Sequence, residues 1–403
     1  MDTTEELAPN DIGFDVYPFS VNFHPLEDLV VTSDASGRVK LYKYSVDNNE
    51  LKLNLKPHQK SCRQASFSSD GKYIFTASAD CSIKVIDVNT GSILYTREEA
   101  HDDPINSLIS KDFMVFTGDD EGTIKVWDMR QQNIVCEFQE HGDYISDIIT
   151  LDDKHFVSTS GDGGLSIYNF VRHSMEDISE KSDNELLSVI AMDNEKKLVC
   201  GSQEGQIYIF DRNNLEKPQK FVGHPESVDS LVKINEQTLF TGSEDGMIRY
   251  VGIKPKKLLG VVGEHSNFPL ETMAVSRDKR YLGSISHDLT LKFWNVMSFY
   301  EEEEEQGEEE EEMQEQEEEE EEEEEEIEFD SDSSELEEEE SEDEDDSMDD
   351  SDDDDDDDDS DEDSKKQSRN KKKNKKPTNE FLKQKNEKRK QQQQNKKNFY
   401  SGL

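Results

Sequence analysis

Between residues 12 and 296 short runs of alternating apolar and polar residues are separated by turn-forming residues. "YIFTASAD" (73–80) followed by "SIKVID" (82–87) reads as two strands joined by a tight turn. The same frame returns in "DDEGTIKVWD" (119–128), "SGDGGLSIYN" (160–169), "SQEGQIYIFD" (202–211), "SEDGMIRYVG" (243–252) and "SHDLTLKFWN" (286–295), with a degenerate copy in "DASGRVKLYK" (34–43). The turn position falls at Ser36, Asp80, Glu121, Asp162, Glu204, Asp245 and Asp288, at spacings of 44, 41, 41, 42, 41 and 43 residues. Six residues after each stands a large apolar side chain: Tyr42, Ile86, Trp127, Tyr168, Phe210, Val251 and Trp294.

Upstream of most turns lies a further strand, preceded by a histidine: His58, His101, His141, His224 and His265. In the first and fifth repeats the same offset lands on Asp15 and Asp183. About four short strands per repeat is the content of one propeller blade. The expected fold is therefore all-β, a seven-bladed propeller over 12–300. A ring leaves no open sheet edge. "NVMSFY" (295–300) is too short for the strand that the last blade lacks, so "IGFDVY" (12–17) is expected to supply it. Residues 1–11 are expected to be a disordered N-terminus.

These repeats resemble the WD40 repeat family. In that family a turn Asp, a His before the first strand, a Ser on the second and a Trp on the third form a hydrogen-bonded network within each blade. By resemblance, the network would comprise His265, Ser286, Asp288 and Trp294, and His141, Ser160, Asp162 and Tyr168 with Tyr in place of Trp. Two further repeats would keep three members each, His58, Ser78 and Asp80, and His224, Ser243 and Asp245. The third offers His101, Glu121 and Trp127, with Asp119 where the others have Ser.

Recurrent Ser, His and Asp invite a hydrolase reading, but a triad needs one exposed nucleophile with an oxyanion hole. Repetition at fixed turn and strand positions favours a structural role. "SGDGG" (160–164) lacks the Lys-Ser/Thr of a phosphate loop. Asp119, Asp120 and Glu121 do not follow calcium-loop spacing. The four cysteines, Cys62, Cys81, Cys136 and Cys200, are far apart, which speaks against zinc and against a disulfide framework and suits a reducing compartment. No catalytic residue, metal or cofactor is expected. The sequence contains no apolar run of membrane-spanning length and no secretory leader pattern, so a membrane is not an expected partner; with no catalytic or cofactor motif, neither is a small-molecule substrate.

Charge divides the chain. Residues 301–364 hold 47 Asp or Glu and no Lys or Arg, and 365–403 hold 15 basic against 2 acidic. This leaves 48 acidic and 30 basic residues in 1–300. The acidic low-complexity tract is expected to be disordered, since it has no apolar surface to bury. Several of its serines, Ser334, Ser341, Ser347, Ser351 and Ser360, have an acidic residue three positions later and suit an acidophilic kinase. The basic Lys/Asn/Gln-rich tail carries a block at Lys365, Lys366, Arg369, Lys371, Lys372, Lys373, Lys375 and Lys376. This block reads as nuclear or nucleolar targeting or as an RNA-contacting arm, with pairing to the acidic tract as the plainer alternative.

More specific stretches, among them "CRQASFSSDGKYIFTASAD" (62–80), "TGDDEGTIKVWD" (117–128), "CGSQEGQIYIF" (200–210) and "HDLTLKFW" (287–294), resemble the WD repeat-containing protein 55 family. The resemblance implies a non-catalytic scaffold of nucleolar ribosomal RNA processing, with proteins docking on the propeller faces and pre-ribosomal proteins or RNA meeting the tail. It also implies an alternative, a substrate receptor of a cullin-4 ubiquitin ligase. There Trp127, Asp128 and Arg130 would form the Trp-Asp-x-Arg motif that presents its arginine to the adaptor.

Overall fold

The computed structural model describes residues 8–131 and 133–300. Over them the chain forms seven four-stranded antiparallel sheets. The first six blades are plain meanders, spanning 18–55, 62–97, 105–138, 145–178, 186–222 and 228–264. The seventh has three strands of its own, Leu270–Val275, Tyr281–Ser286 and Thr290–Asn295, and takes its outer strand from Ile12–Gly13.

That closure is short. Ile12 pairs with Leu291 and Gly13 with Thr290, and the Phe14 amide donates to the Leu289 carbonyl at 2.8 Å. The buried side chains of Ile12 and Phe14 pack in one cluster with Val21, Phe23, Tyr281, Leu291 and Phe293, so the ring joins through core as well as backbone. Strand pairing stops at Gly13, and the chain then crosses to the first blade, entering its inner strand at Pro18. Of the N-terminal segment 1–11 expected to be disordered, residues 1–7 lie outside the described residues; in the rest Ala8 packs against this cluster, Pro9 is buried, and the Asn10 carbonyl accepts from Asn49 at 2.6 Å. At the other end 297–300 form a helical turn, with Phe299 edge-on to Phe240 and Tyr250 at 5.2 and 5.1 Å. The acidic tract, the basic tail and the block at 365–376 expected to act in targeting lie outside the described residues.

Cores lie between blades. Leu29, Val31 and Leu41 of the first blade meet Cys62, Phe67 and Ile74 of the second. Phe116 and Val126 of the third meet Ile145, Phe156 and Tyr168 of the fourth. The second strands are buried on both faces, so their sequences run apolar and small rather than strictly alternating. Inner strands are also tied across seams: Ser20 Oγ accepts from the Ala65 amide, Asp147 Oδ2 from Val189 and Ser230 Oγ from Met273, each at 3.0 Å.

All seven inner strands carry an irregularity at one place, between residues 18 and 20, 62 and 64, 105 and 107, 145 and 147, 186 and 188, 228 and 230, and 270 and 272. A bulge re-aims the extra residue. Here the extra residues include Arg63, Asn106, Ser146, Asp229 and Glu271, all at the inner rim of one propeller face.

Candidate functional site

Antiparallel meanders place the connections between blades, and the turns from second to third strands, on one face. The remaining two kinds of connection lie on the other. The histidines sit on the first face, each looking down a second strand. His101 Nδ1 lies 2.8 Å from Asp119, its Nε2 lies 2.7 Å from Thr117 Oγ1, and Trp127 Nε1 donates to the same hydroxyl at 2.9 Å. His265 repeats this with Asp288 at 2.8 Å, Ser284 at 2.6 Å and Trp294 Nε1 on Ser284 at 2.8 Å. His58 meets Asp80 at 3.1 Å and Thr76 at 2.8 Å, and His141 meets Asp162 at 3.3 Å and Ser158 at 2.9 Å.

The hydroxyl partners are therefore Thr76, Thr117, Ser158, Thr241 and Ser284. Expected Ser78, Ser160, Ser243 and Ser286 lie two residues further on. A two-residue slip along a strand keeps the same side of the sheet, so either hydroxyl fits the sequence pattern. Three of these serines fasten the preceding blade-to-blade connection instead: Ser78 donates to the Ser61 carbonyl at 2.8 Å, Ser160 to that of Asp143 at 2.9 Å and Ser286 to that of Pro269 at 2.7 Å. Ser243 is buried at the equivalent strand end. In the third blade the carboxylate belongs to Asp119, and Glu121 is exposed. The sequence signal for these hydroxyls is a Ser or Thr four residues before the turn position in the repeats that carry His.

Other blades vary the theme. Tyr168 is fully buried and stacks on Phe156 at 4.8 Å, and burial pushes its phenol up to about 12. Ile86 and Val251 fill the equivalent place as buried apolar side chains. In the fifth blade Asn184, not Asp183, takes the histidine's place, donating to Ser202 and Tyr208, each at 3.1 Å.

The sixth departs most. His224 Nε2 meets Thr241 at 2.7 Å, but Nδ1 is buried with no hydrogen-bond partner, and burial brings its pKa down to about 4. Asp245 turns instead to Arg249, which donates to its two oxygens at 3.0 and 2.6 Å. In the second and fourth blades the amide after the histidine also holds the aspartate, from Gln59 at 2.9 Å and Gly142 at 2.8 Å. Here that residue is Pro225, which has no N–H.

None of this resembles a hydrolytic site. The hydroxyls of Thr76, Ser158 and Ser284 are fully buried, and the carboxylates are engaged in the fold. Burial would raise the Asp80 and Asp162 carboxyls, but hydrogen bonds from His58 and Ser82, and from His141 and Lys181, hold both well below the usual range. The Asp119-Asp120-Glu121 run diverges: Asp119 faces His101, and Asp120 reaches across a seam to Arg63 at 2.7 Å. Among the described residues no group of three or more His, Cys, Asp or Glu is placed to hold a metal ion, and no helix is long and apolar enough to cross a membrane. The four thiols are unpaired, three of them buried, and burial pushes Cys136 up to about 12.

Trp127, Asp128 and Arg130 separate in role. Trp127 is buried in the network, and Asp128 is buried at the strand end. Arg130 lies on the opposite face, its side chain 58% exposed, and donates to both Asp128 oxygens at 3.0 and 2.8 Å. Its guanidinium also sits 5.4 Å from the ring of Phe113, itself exposed. This places a held, outward cation beside an apolar side chain. On the same face an open polar recess of about 590 Å³ between the fourth and fifth blades is lined by His155, Glu176, Glu195 and Arg212 among others. Arg212 is already spanned there by Asp152 at 2.7 Å and Glu195 at 2.9 Å.

A family model described as WDR55 matches residues 9–299. A WD repeat-containing protein 55 homolog of Dictyostelium discoideum is 75% identical over 307 residues, covering 75% of this chain and 75% of its own. WD repeat-containing protein 55 of Arabidopsis thaliana is 39% identical over 296 residues, covering 72% of this chain and 84% of its own. Its Homo sapiens counterpart is 39% identical over 295 residues, covering 72% and 77%.

Proposed function

The chain belongs to the WD repeat-containing protein 55 family, and from that membership we propose that it serves ribosome biogenesis in the nucleolus, assembling proteins around maturing ribosomal RNA. The coarser part is a property of the fold: a WD40 propeller of this family is a non-enzymatic protein-interaction scaffold. One structural observation carries the scaffold reading. The His, Asp and Ser/Thr side chains that recur from repeat to repeat are spent inside the blades, as in the His101–Asp119–Thr117–Trp127 network, which leaves the two loop-bearing faces for partners. The nucleolar reading is supported by the family resemblance and by the basic block from Lys365 to Lys376. Affinity purification of the intact chain, beside a version ending at residue 300, tests it. Pre-ribosomal proteins recovered with the intact chain support the proposal, and their absence from both counts against it.

A second reading rests on Arg130. Its exposure, its grip on Asp128 and the neighbouring Phe113 give the opposite face a preset cationic contact, as docking to a cullin-4 adaptor would need. Arg130→Ala should abolish adaptor recovery if this reading holds. Recovery indifferent to the substitution removes it.

A further inference from the structure

The two faces of the propeller are electrically unlike. Counting only residues between strands, the face with the blade-to-blade connections and the second-to-third-strand turns carries 19 acidic and 4 basic residues. The opposite face carries 11 acidic and 10 basic. An even spread of the domain's negative charge would not produce this contrast.

On the acidic face the rim at the sixth and seventh blades has further features. Bulges bring Asp229 and Glu271 to the rim, where Ser227 donates to Asp229 at 2.6 Å and His287 Nε2 lies 3.1 Å from Glu271. Exposed Glu244 stands in the adjoining turn. Aromatic surface is exposed nearby: Phe268, 49% exposed, follows His265, and Tyr17 lies edge-on to His287 at 5.4 Å. A separate observation concerns the same turn. His224 is only 5% exposed and its Nδ1 has no hydrogen-bond partner, while the turn's own Asp245 seats the guanidinium of Arg249 on both oxygens. This rim thus holds one arginine in bidentate fashion and sets further carboxylates and ring faces beside it.

We propose that this face docks a Lys/Arg-rich segment of a partner protein, anchored at the rim of the sixth and seventh blades by Asp229, Glu244 and Glu271 with Tyr17 and Phe268 alongside. Carboxylates supply charge-assisted hydrogen bonds to guanidinium and ammonium groups, and the exposed rings supply cation–π faces. The same charge repels phosphate backbones, so the occupant is protein and not RNA. The inference stands whether the protein acts in ribosome assembly or with a ligase.

The test uses the full-length chain and a short fluorescent peptide of repeating Lys-Arg-Ser. A rim variant, Asp229→Asn/Glu244→Gln/Glu271→Gln, is compared with Glu27→Gln/Asp47→Asn/Asp112→Asn on the opposite face. Both remove the same charge, and both retain the acidic tract. Affinity should fall roughly tenfold or more for the rim variant only, with the loss reduced at high salt. Equal affinities for the two variants would overturn the proposal. Should the rim variant melt early, a benzophenone-bearing peptide on the unaltered chain decides: labelling in the sixth, seventh and first blades supports the proposal, and labelling confined to 301–364 or to the opposite face overturns it.

Discussion

Asp245 is bound by Arg249, through hydrogen bonds of 3.0 and 2.6 Å, and not by the histidine of its own blade. Burial would raise the Asp245 carboxyl, but Arg249 and the Met247 amide hold it below the usual range. A depressed folded-state value contributes stability that is present above the unfolded value near 4 and is lost as pH falls through the folded one. Arg249→Met should therefore lower stability at neutral pH by about 1–3 kcal/mol, through the loss of a partner for a largely buried carboxylate. The difference between variant and parent should narrow below about pH 4. Chemical denaturation at pH 7 and pH 3 measures both, and a constant difference would rule out this pairing as its cause.

The third blade's network offers a contrast of substitutions. Thr117→Val leaves His101 Nε2 and Trp127 Nε1 without their shared hydroxyl and should cost about 2–4 kcal/mol, two buried groups being affected. Glu121→Ala touches an exposed turn position and should stay within about 0.5 kcal/mol. Urea melts of the two variants would reverse this order if Glu121 were the working acid.

How far the sequence could be read is clearest in this blade. Its strand-turn-strand rhythm, His101 and Trp127 are all visible, because a forty-residue period and a rare aromatic repeat conspicuously. The choice between Asp119 and Glu121 is not, nor is that between Thr76 and Ser78 in the second blade. Residues two apart on a strand share a side, and only the depth of the histidine's reach separates them. Asn184 is not legible for another reason: the connection there is shifted by one residue, and an amide stands where other blades have an imidazole. The rim at Asp229 and Glu271 was hidden, since a bulge leaves no local signature in the polar pattern. Neither could the charge contrast between faces be seen before the strand ends were fixed.

Asp147 ties the fourth and fifth blades by accepting from the Val189 amide, and burial pushes its carboxyl up to about 7. Raised above its unfolded value, the group favours the fold while protonated. Stability from this source should decline as pH rises from about 4 to about 7. Asp147→Asn keeps an acceptor without the charge and should melt a few degrees higher at pH 8, with no advantage below pH 4. Thermal melts across that range check the sign; a variant that melts lower at pH 8 would show that the ionised carboxylate is favourable.

Ring closure depends on the N-terminal segment. Deleting residues 1–17 removes Ile12 and Phe14 from the shared cluster and exposes the edge of the seventh blade at Leu291. A marked fall in melting temperature for the whole propeller is expected, since the blades share their cores. Unchanged melting would mean that the ring holds without its closing strand.

We propose that this propeller is a scaffold of ribosome maturation. The most direct measurement is the level of unprocessed ribosomal RNA after depletion of the protein, with the full chain restored as control. Precursors should accumulate on depletion and return to normal on restoration. Precursor levels that stay normal in depleted cells would contradict that role.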